Sequence, residues 1–251
     1  MAKDDNSVLI GGSGIELVNN GPVIVGNNPA PAASSNSNQL EVNSYFPSNV
    51  YSIKKPEFLN IVRTVSNEAL DKRKKEQPKI DPIYPLYQTE NLYNDPRMAE
   101  FANYIGATAW NILDSQGHIM QGKSIAFTEM WCQEHQKHSA MDEHIHGINS
   151  QLIGFYFLDV PKDSQRVIIH DPRPAKKQIN LPERNPSDIT YASSSINFVP
   201  EPGLLMYANS WLPHAFSRNA SSKAVRFIHF NIIVIDAPQQ PQPVANSPVI
   251  V

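Results

Sequence analysis

Hydrophobic positions recur at intervals of three and four residues in two stretches of the chain. The first stretch runs from Pro56 to about Gln77, and the spacing predicts an amphipathic helix there, with Pro56 at a first helical position. Its apolar positions are Phe58, Ile61, Val62, Val65, Ala69 and Leu70. The charged run that follows, 71–76, is typical of the solvated end of such a helix.

The second stretch predicts a helix that begins at Pro96, with Asn94 and Asp95 as candidate caps. Gly117 is expected just past its end. The predicted buried stripe consists of Met98, Phe101, Ala102, Ile105, Ala109, Ile112 and Leu113.

After Gly122 the pattern changes to short β-rich runs separated by Pro, Gly and Asn. The runs are SIAFTEMWC, QLIGFYFLDV, RVIIHD, ITYASSSINFV, GLLMYA and AVRFIHFNIIVI. Many short strands after two helices favour an α+β, mainly β fold, a barrel or sandwich with the helices packed on one side.

Composition separates the two ends from the middle. Residues 1–42 are rich in Gly, Asn, Ser, Ala and Pro, and residues 237–251 are rich in Pro, so both are predicted to be flexible arms around one domain at 43–236. Each arm is either plainly disordered or a docking segment that orders on a protein partner. The single Cys132 excludes an intrachain disulfide and a thiolate-only zinc site.

Charge and hydropathy exclude two classes of function as first expectations. The formal net charge of −3 gives no basic footprint for nucleic acid. No apolar run approaches the roughly 20 residues that span a bilayer, and the first residues lack the pattern of a signal peptide. A cytoplasmic protein is expected.

Seven of the eight histidines fall in the β-rich half, and two are separated by one residue. In a strand, His144 and His146 would project to the same face and could bind one metal ion, although a surface or structural role is equally consistent with this pair alone. His214 follows the predicted strand at 203–208, and Arg226 follows 12 residues later. An imidazole and a guanidinium on neighbouring strands would suit a metal and a carboxylate ligand side by side.

Several segments of this half are similar to one family, the Fe(II)/2-oxoglutarate-dependent oxygenases of the prolyl-hydroxylase-like type often carried by tailed bacteriophages of aquatic bacteria. The matching segments are HIHGINSQLIGFYFLDVP (144–161), VIIHDPRP (167–174), PGLLMYANSWLPHAFSRN (202–219) and RFIHFN (226–231), with YFPSNVYSI near 45 and LYQTENLYNDPRMAEFANYI before the second helix. The resemblance covers about residues 43–235.

The resemblance implies a double-stranded β-helix, or jelly roll, with Fe(II) and 2-oxoglutarate as cofactors. Carried over by position, the metal ligands are His144, His146 and His214, with His146 where the family usually has a carboxylate. The negative ligand could instead be Asp171, Asp142 or Glu143. Arg226 would bind the far carboxylate of 2-oxoglutarate.

Two further residues, Tyr156 and Asn231, are candidate contacts with the cosubstrate. Phe157 stands where the family pattern has Tyr, and the candidate hydroxyl is that of Tyr156, one residue earlier, although a regular strand would turn Tyr156 to the other face. Asn231 and His229 alternate with Phe230 on the last strand and could line the barrel interior, or could be ordinary core polar residues.

Two functions follow from these patterns. The first is a dioxygenase that hydroxylates a substrate the sequence does not identify, with 2-oxoglutarate as a small-molecule cosubstrate. The second is a structural or assembly protein that keeps the fold and an idle metal site and contacts its protein partners through the arms, and a component of a phage particle is a concrete version of it. Consumption of 2-oxoglutarate, or the presence of the chain in purified particles, distinguishes the two.

Overall fold

The computed structural model describes the backbone of residues 7–9, 16–18 and 44–237, and the side chains of residues 44–237. Two helices lie in this part of the chain, α1 (Leu59–Glu76) and α2 (Ala99–Ser115), each preceded by one short 3-10 turn. A third 3-10 turn follows at Pro174–Gln178. The strands are β1 (Ser7–Leu9), β2 (Glu16–Val18), β3 (Val50–Lys54), β4 (Leu86–Gln88), β5 (Lys123–His135), β6 (Met141–His144), β7 (Leu152–Asp159), β8 (Val167–His170), β9 (Ser195–Phe198), β10 (Leu204–Asn209), β11 (His214–Phe216) and β12 (Val225–Asp236).

Both predicted helices are confirmed, and their starts have a physical cause. Proline occupies the first position of each 3-10 turn, at Pro56 and Pro96. Of the two candidate caps before the second helix, Asp95 is the one that acts, because its carboxylate accepts a hydrogen bond from the backbone N–H of Arg97 at 2.9 Å. Gly117 lies just past α2 with φ +88°.

Two antiparallel sheets form the body of the domain. The larger sheet has the strand order β3-β10-β7-β12-β5-β4, and the smaller has the order β6-β11-β8-β9. Two packed antiparallel sheets with the helices on one side agree with the jelly-roll expectation.

The larger sheet separates two cores because its side chains alternate between faces. On one face Ile228 and Phe230 of β12 pack with helix residues such as Phe101 and Ile105. On the other face Phe227 packs with residues of the smaller sheet, and its ring stacks on Phe216 with centroids 4.9 Å apart. The second core is the interior of the jelly roll.

Gly154 sits in the centre of the larger sheet, where the backbone and an aromatic ring approach closely. A Cβ atom at this position would overlap the ring of Phe230 and the carbonyl oxygen of Met206. Glycine is therefore required here by packing, while its strand neighbours are buried apolar side chains.

The structure adds elements that the sequence patterns did not predict. The short strands β3, β4, β6 and β11 were not predicted, and the start of the predicted run ITYASSSINFV is not a strand, because β9 begins only at Ser195. The arms predicted at 1–42 and 237–251 lie almost wholly outside the described residues. Within them, β1 and β2 pair as an antiparallel ribbon. No described helix is long and apolar enough to cross a membrane.

Candidate metal centre and adjoining cavity

Three imidazoles from two separate segments meet at the edge of the jelly-roll interior. The ring centroids are 4.4 Å apart for His144 and His214, 5.3 Å for His144 and His146, and 5.2 Å for His146 and His214. One nitrogen from each ring lies within 4.8 Å of the other two. Three imidazole nitrogens so close together are able to bind one metal ion.

Strand pairing explains how two of these rings meet. His214, the first residue of β11, lies directly opposite His144, the last residue of β6. His146 lies beyond the end of β6, so the prediction that one strand carries both histidines is wrong. Its backbone N–H donates to the carbonyl oxygen of Ser210 at 2.9 Å, which holds the loop after β6 against the turn that leads to His214.

The rings are oriented by backbone carbonyl groups. The Nδ1 atom of His144 lies 2.8 Å from the carbonyl oxygen of Asp142, and the Nδ1 atom of His214 lies 2.9 Å from that of Leu212. Each ring therefore presents Nε2 to the cluster, as metal-binding histidines commonly do. The Nε2 atoms of His146 and His214 are buried and have no hydrogen-bond partner within the described part of the chain.

Burial keeps two of these imidazoles neutral, which is the form that binds a metal. Burial lowers the pKa of His146 to about 4, and the imidazoles of His214 and His144 lower this pKa further. Burial also lowers the pKa of His214 to about 4, although the carbonyl oxygen of Leu212 opposes this shift. Near neutral pH, His146 and His214 can therefore bind a cation without first losing a proton.

None of the candidate carboxylates belongs to this cluster among the described residues. Asp171 is bound by Arg173 and Lys176, each at 2.8 Å, and Arg173 holds the pKa of its carboxyl well below the usual range. Glu143 lies 3.5 Å from His170, and the contact of Asp142 with the cluster is made by its backbone carbonyl. Asp171 is therefore a turn-closing residue rather than an alternative ligand.

A cavity of about 50 Å³ adjoins the imidazoles and extends into the jelly-roll interior. It is lined by Trp131, Gln133, Met141, His144, His146, Phe155, Phe216 and His229. Trp131 and His229 are cross-strand neighbours in the β5–β12 pair, with ring centroids 5.4 Å apart. The ring of His229 also lies 4.9 Å from that of His146, centroid to centroid.

Arg226 does not reach this cavity, and its assignment as the carboxylate clamp is corrected. Its guanidinium bonds to Glu134 at 2.7 Å and to Asn67 of α1 at 3.1 Å. These contacts lie on the helix-facing side of the larger sheet. Arg226 and His229 are three residues apart on one strand, so their side chains project to opposite faces.

Tyr156 is also on the helix side of the sheet. Its hydroxyl donates to the carbonyl oxygen of Lys55 at 2.7 Å, and its ring packs on Phe101. Its proposed contact with the cosubstrate is therefore corrected as well. Asn231, by contrast, shares the interior face with His229 and donates to Glu129, but it is not among the residues that line the cavity.

Two polar residues of the cavity wall, Trp131 and Gln133, received no role in the sequence analysis. Both lie on β5, outside the segments that carry the resemblance, while His229 is predicted either to line the interior or to be an ordinary core residue. The alternation of side chains along a strand could have identified these residues. Residues 129, 131 and 133 share a face of β5, and residues 227, 229 and 231 share a face of β12.

Comparison with known proteins agrees with this geometry. Residues 129–231 match the family model described as "Putative 2OG-Fe(II) oxygenase". This segment contains the three imidazoles and all the residues that line the cavity. No curated protein matches the chain.

Two solved structures share the fold at low sequence identity. The non-heme alpha-ketoglutarate-dependent carbocyclase SnoK from nogalamycin biosynthesis is 12% identical with a TM-score of 0.54, over 76% of this chain and 83% of that one. AviO1 from Streptomyces viridochromogenes is 13% identical with a TM-score of 0.50, over 78% and 93% of the two chains. Residues 129–231 are therefore similar in sequence to 2OG-Fe(II) oxygenases, and the described part of the chain shares its double-stranded β-helix fold with these two solved structures.

Proposed function

We propose that the protein is an Fe(II)- and 2-oxoglutarate-dependent dioxygenase in which His144, His146 and His214 hold the iron. The observation that carries this proposal is the convergence of three imidazoles from two segments, two of them with a buried Nε2 atom that has no partner in the described residues. A buried nitrogen acceptor without a donor is costly, and a metal ion would remove that cost. The residues present therefore fit the metal.

When bound, the iron and 2-oxoglutarate supply the oxidation: 2-oxoglutarate, dioxygen and a substrate C–H group give succinate, carbon dioxide and a C–OH group. The protein's own part is to hold and orient the reactants. The carbonyl groups of Asp142 and Leu212 fix two of the imidazole planes. Phe155 and Phe216 give the cavity apolar walls that keep bulk water away.

The ligand set is neutral, and this distinguishes the site from one that includes a carboxylate. Three imidazoles leave the full charge of the metal uncompensated, so an anionic cosubstrate is attracted to it more strongly. Iron itself is bound less tightly than by a set with one carboxylate. We expect 2-oxoglutarate to strengthen iron binding, and iron to strengthen 2-oxoglutarate binding by the same factor.

The test is an anaerobic titration of the protein with Fe(II) and then 2-oxoglutarate, followed by admission of oxygen and measurement of succinate. The expected result is a visible charge-transfer band for the ternary complex, and succinate formation that requires both additions. A protein that binds neither metal nor 2-oxoglutarate contradicts the proposal. A matched control is His170→Ala, which changes a nearby histidine outside the cluster.

A protein that binds metal and yet consumes no 2-oxoglutarate with any candidate substrate would instead support the scaffold function. In that function, segments 1–42 and 237–251 contact protein partners, and a phage particle is one possible assembly. Composition supports this role, since residues 1–42 are rich in Gly, Asn, Ser, Ala and Pro, residues 237–251 are rich in Pro, and the apolar residues of both segments occur only in short patches. Mass spectrometry of purified particles or complexes tests it.

We also propose that residues 43–236 form the oxygenase domain and that it works in the cytoplasm. Strands from Val50 to Asp236 belong to the two packed sheets, which supports these limits. Cys132 is a free, buried thiol, and burial raises its pKa to about 12, as suits an inert core residue in a reducing compartment. Limited proteolysis and microscopy of a tagged chain test the two statements.

A further inference from the structure

The cavity beside the imidazoles offers no cation to an anionic ligand. No Arg or Lys is among the described residues that line it. Arg226, which the sequence resemblance assigns to this role, is engaged on the other side of the sheet by Glu134 and Asn67. A dicarboxylate that enters the cavity must therefore be recognised by other groups.

Two neutral groups in the cavity wall are suited to this. The indole Nε1 of Trp131 is buried and has no hydrogen-bond partner within residues 44–237. Both ring nitrogens of His229 are also buried without a partner there, and the residue is only 4% exposed. Tryptophan can only donate, and a neutral imidazole carries one N–H group in either tautomer.

Buried donors are rarely left without an acceptor in native proteins, and each one costs free energy. Trp131 and His229 face each other across the β5–β12 pair, so their orphaned donors lie in one part of the cavity. Gln133, the next residue of β5 on the same face as Trp131, already donates a hydrogen bond to the side chain of Gln88 at 2.9 Å. The unsatisfied groups thus point to an acceptor ligand beside the imidazole cluster.

We propose that Trp131 Nε1 and the His229 imidazole form the subsite for the far carboxylate of 2-oxoglutarate, in place of an arginine. This inference rests on the proposed function and deepens it by naming the determinants of cosubstrate recognition. Hydrogen bonds from neutral donors to a carboxylate are stronger than neutral pairs, so two of them contribute substantially to affinity. The preference of the site for a dicarboxylate over a monocarboxylate then depends on the N–H groups of Trp131 and His229.

The first experiment measures binding by isothermal titration calorimetry with Zn(II)-loaded protein, so that no turnover occurs. The ligands are 2-oxoglutarate and 2-oxopentanoate, which has a methyl group where 2-oxoglutarate has its far carboxylate. Trp131→Phe keeps a ring and removes the donor, and we expect it to raise the Kd for 2-oxoglutarate about ten- to a hundredfold. The Kd for 2-oxopentanoate should change less than threefold. His229→Phe should behave in the same direction.

The matched control is Arg226→Gln, which lies on the other face and should leave both Kd values within about threefold of the wild type. If Arg226→Gln weakens 2-oxoglutarate binding while Trp131→Phe does not, the proposed subsite is wrong. If the Zn(II)-loaded wild-type protein binds no 2-oxoglutarate at all, the proposed function fails together with it. These two outcomes are distinguishable in one series of titrations.

A second measurement needs no folded variant of the cavity wall. The chain has three tryptophans, Trp110, Trp131 and Trp211, so its indole N–H groups give three nitrogen-15 NMR signals. Comparison with Trp110→Phe and Trp211→Phe, two residues that do not line the cavity, assigns the Trp131 signal by elimination. Saturating 2-oxoglutarate should move the Trp131 proton signal downfield, and 2-oxopentanoate should not. An unmoved Trp131 signal at saturation would overturn the proposal.

Discussion

His214 lies directly opposite His144 across the β11–β6 pair, and their ring centroids are 4.4 Å apart. These two residues are 70 positions apart in the chain, so their proximity depends on the register of the smaller sheet. A slip of one residue in that pairing would turn one ring away from the other. The candidate metal centre is therefore a product of strand pairing, with His146 added by the loop.

Removal of any one of the three imidazoles should abolish tight metal binding. His144→Ala, His146→Ala and His214→Ala should each weaken Fe(II) or Zn(II) binding by more than about a hundredfold, because even changes in the supporting shell of a metal site cost 10–100-fold. Calorimetric titration measures the effect. His170→Ala should bind metal as the wild type does, and equal losses in all four variants would contradict the assignment.

Metal should also stabilise the folded chain. A ligand that binds only the native state raises the free energy of unfolding by about 2.7 kcal/mol when it is present at 100 times its Kd. Added Zn(II) should therefore raise the Tm of the wild-type protein, and a chelator should reverse the shift. In His214→Ala the same concentration should leave Tm unchanged. A shift of equal size in that variant would mean that the metal binds elsewhere.

Stability should fall in mild acid, and His135 should account for part of the loss. This residue is fully buried, and burial lowers its pKa from the usual 6.5 of a histidine to about 4. Its unfolded form binds a proton more readily than its folded form, so its contribution is complete above pH 6.5. That contribution is lost progressively as pH falls from about 6.5 to about 4, by about 3 kcal/mol.

Urea unfolding of the metal-free protein between pH 4 and 7.5 measures this effect. His135→Gln replaces the imidazole by a group that does not titrate, so its free energy of unfolding should depend less steeply on pH in this window. The variant is expected to be less stable at pH 7. If its pH slope equals that of the wild type, His135 is not a source of the acid sensitivity.

Arg226→Gln should destabilise the protein without disturbing the metal centre. Glu134 is only 2% exposed, and burial raises its pKa, but Lys74 and Arg226 outweigh this effect and keep the carboxyl ionised. Removal of Arg226 leaves this buried charge with Lys74 as its one cationic partner among the described residues, at a cost of about 1–3 kcal/mol. Thermal unfolding measures the loss. Glu134→Gln paired with Arg226→Gln should recover part of it, as a double-mutant cycle would show.

Gly154→Ala should be among the most damaging single changes in the fold. The added methyl group overlaps the Phe230 ring and the Met206 carbonyl, and the backbone of a central strand cannot move away easily. Overpacking of this kind costs about 1–3 kcal/mol or more. Gly147→Ala is the matched control, because nothing lies near a Cβ there. Equal stability of the two variants would contradict the packing argument.

The sequence was informative wherever local periodicity determines structure. Helices α1 and α2 follow from their apolar spacing, and the proline at each start follows from its fixed φ. The short strands β6 and β11, with four and three residues, are too brief for a pattern to appear. Yet these two strands carry His144 and His214, so the contact that forms the site could not be read from periodicity.

Arg226 shows a different limit, since the needed signal was present in the sequence. Arg226 and Asn231 are five residues apart on one strand, so a regular strand cannot turn both toward the same cavity. Strand β12 has a register irregularity against β7 between Arg226 and Phe227, and another against β5 between Asn231 and Ile232. Neither irregularity brings Arg226 to the interior. The alternation of side chains along β12 therefore decides where Arg226 lies, and not its position in the family pattern.

The two faces of β12 make this strand intolerant of length changes. One face presents His229 to the cavity, and the other anchors α1 through Arg226. A single residue inserted or deleted at the start of β12 would turn Arg226 toward the jelly-roll interior and His229 toward the helices. A point substitution in β12 changes the contacts of one side chain. An insertion or deletion would remove both the His229 wall of the cavity and the bond from Arg226 to α1.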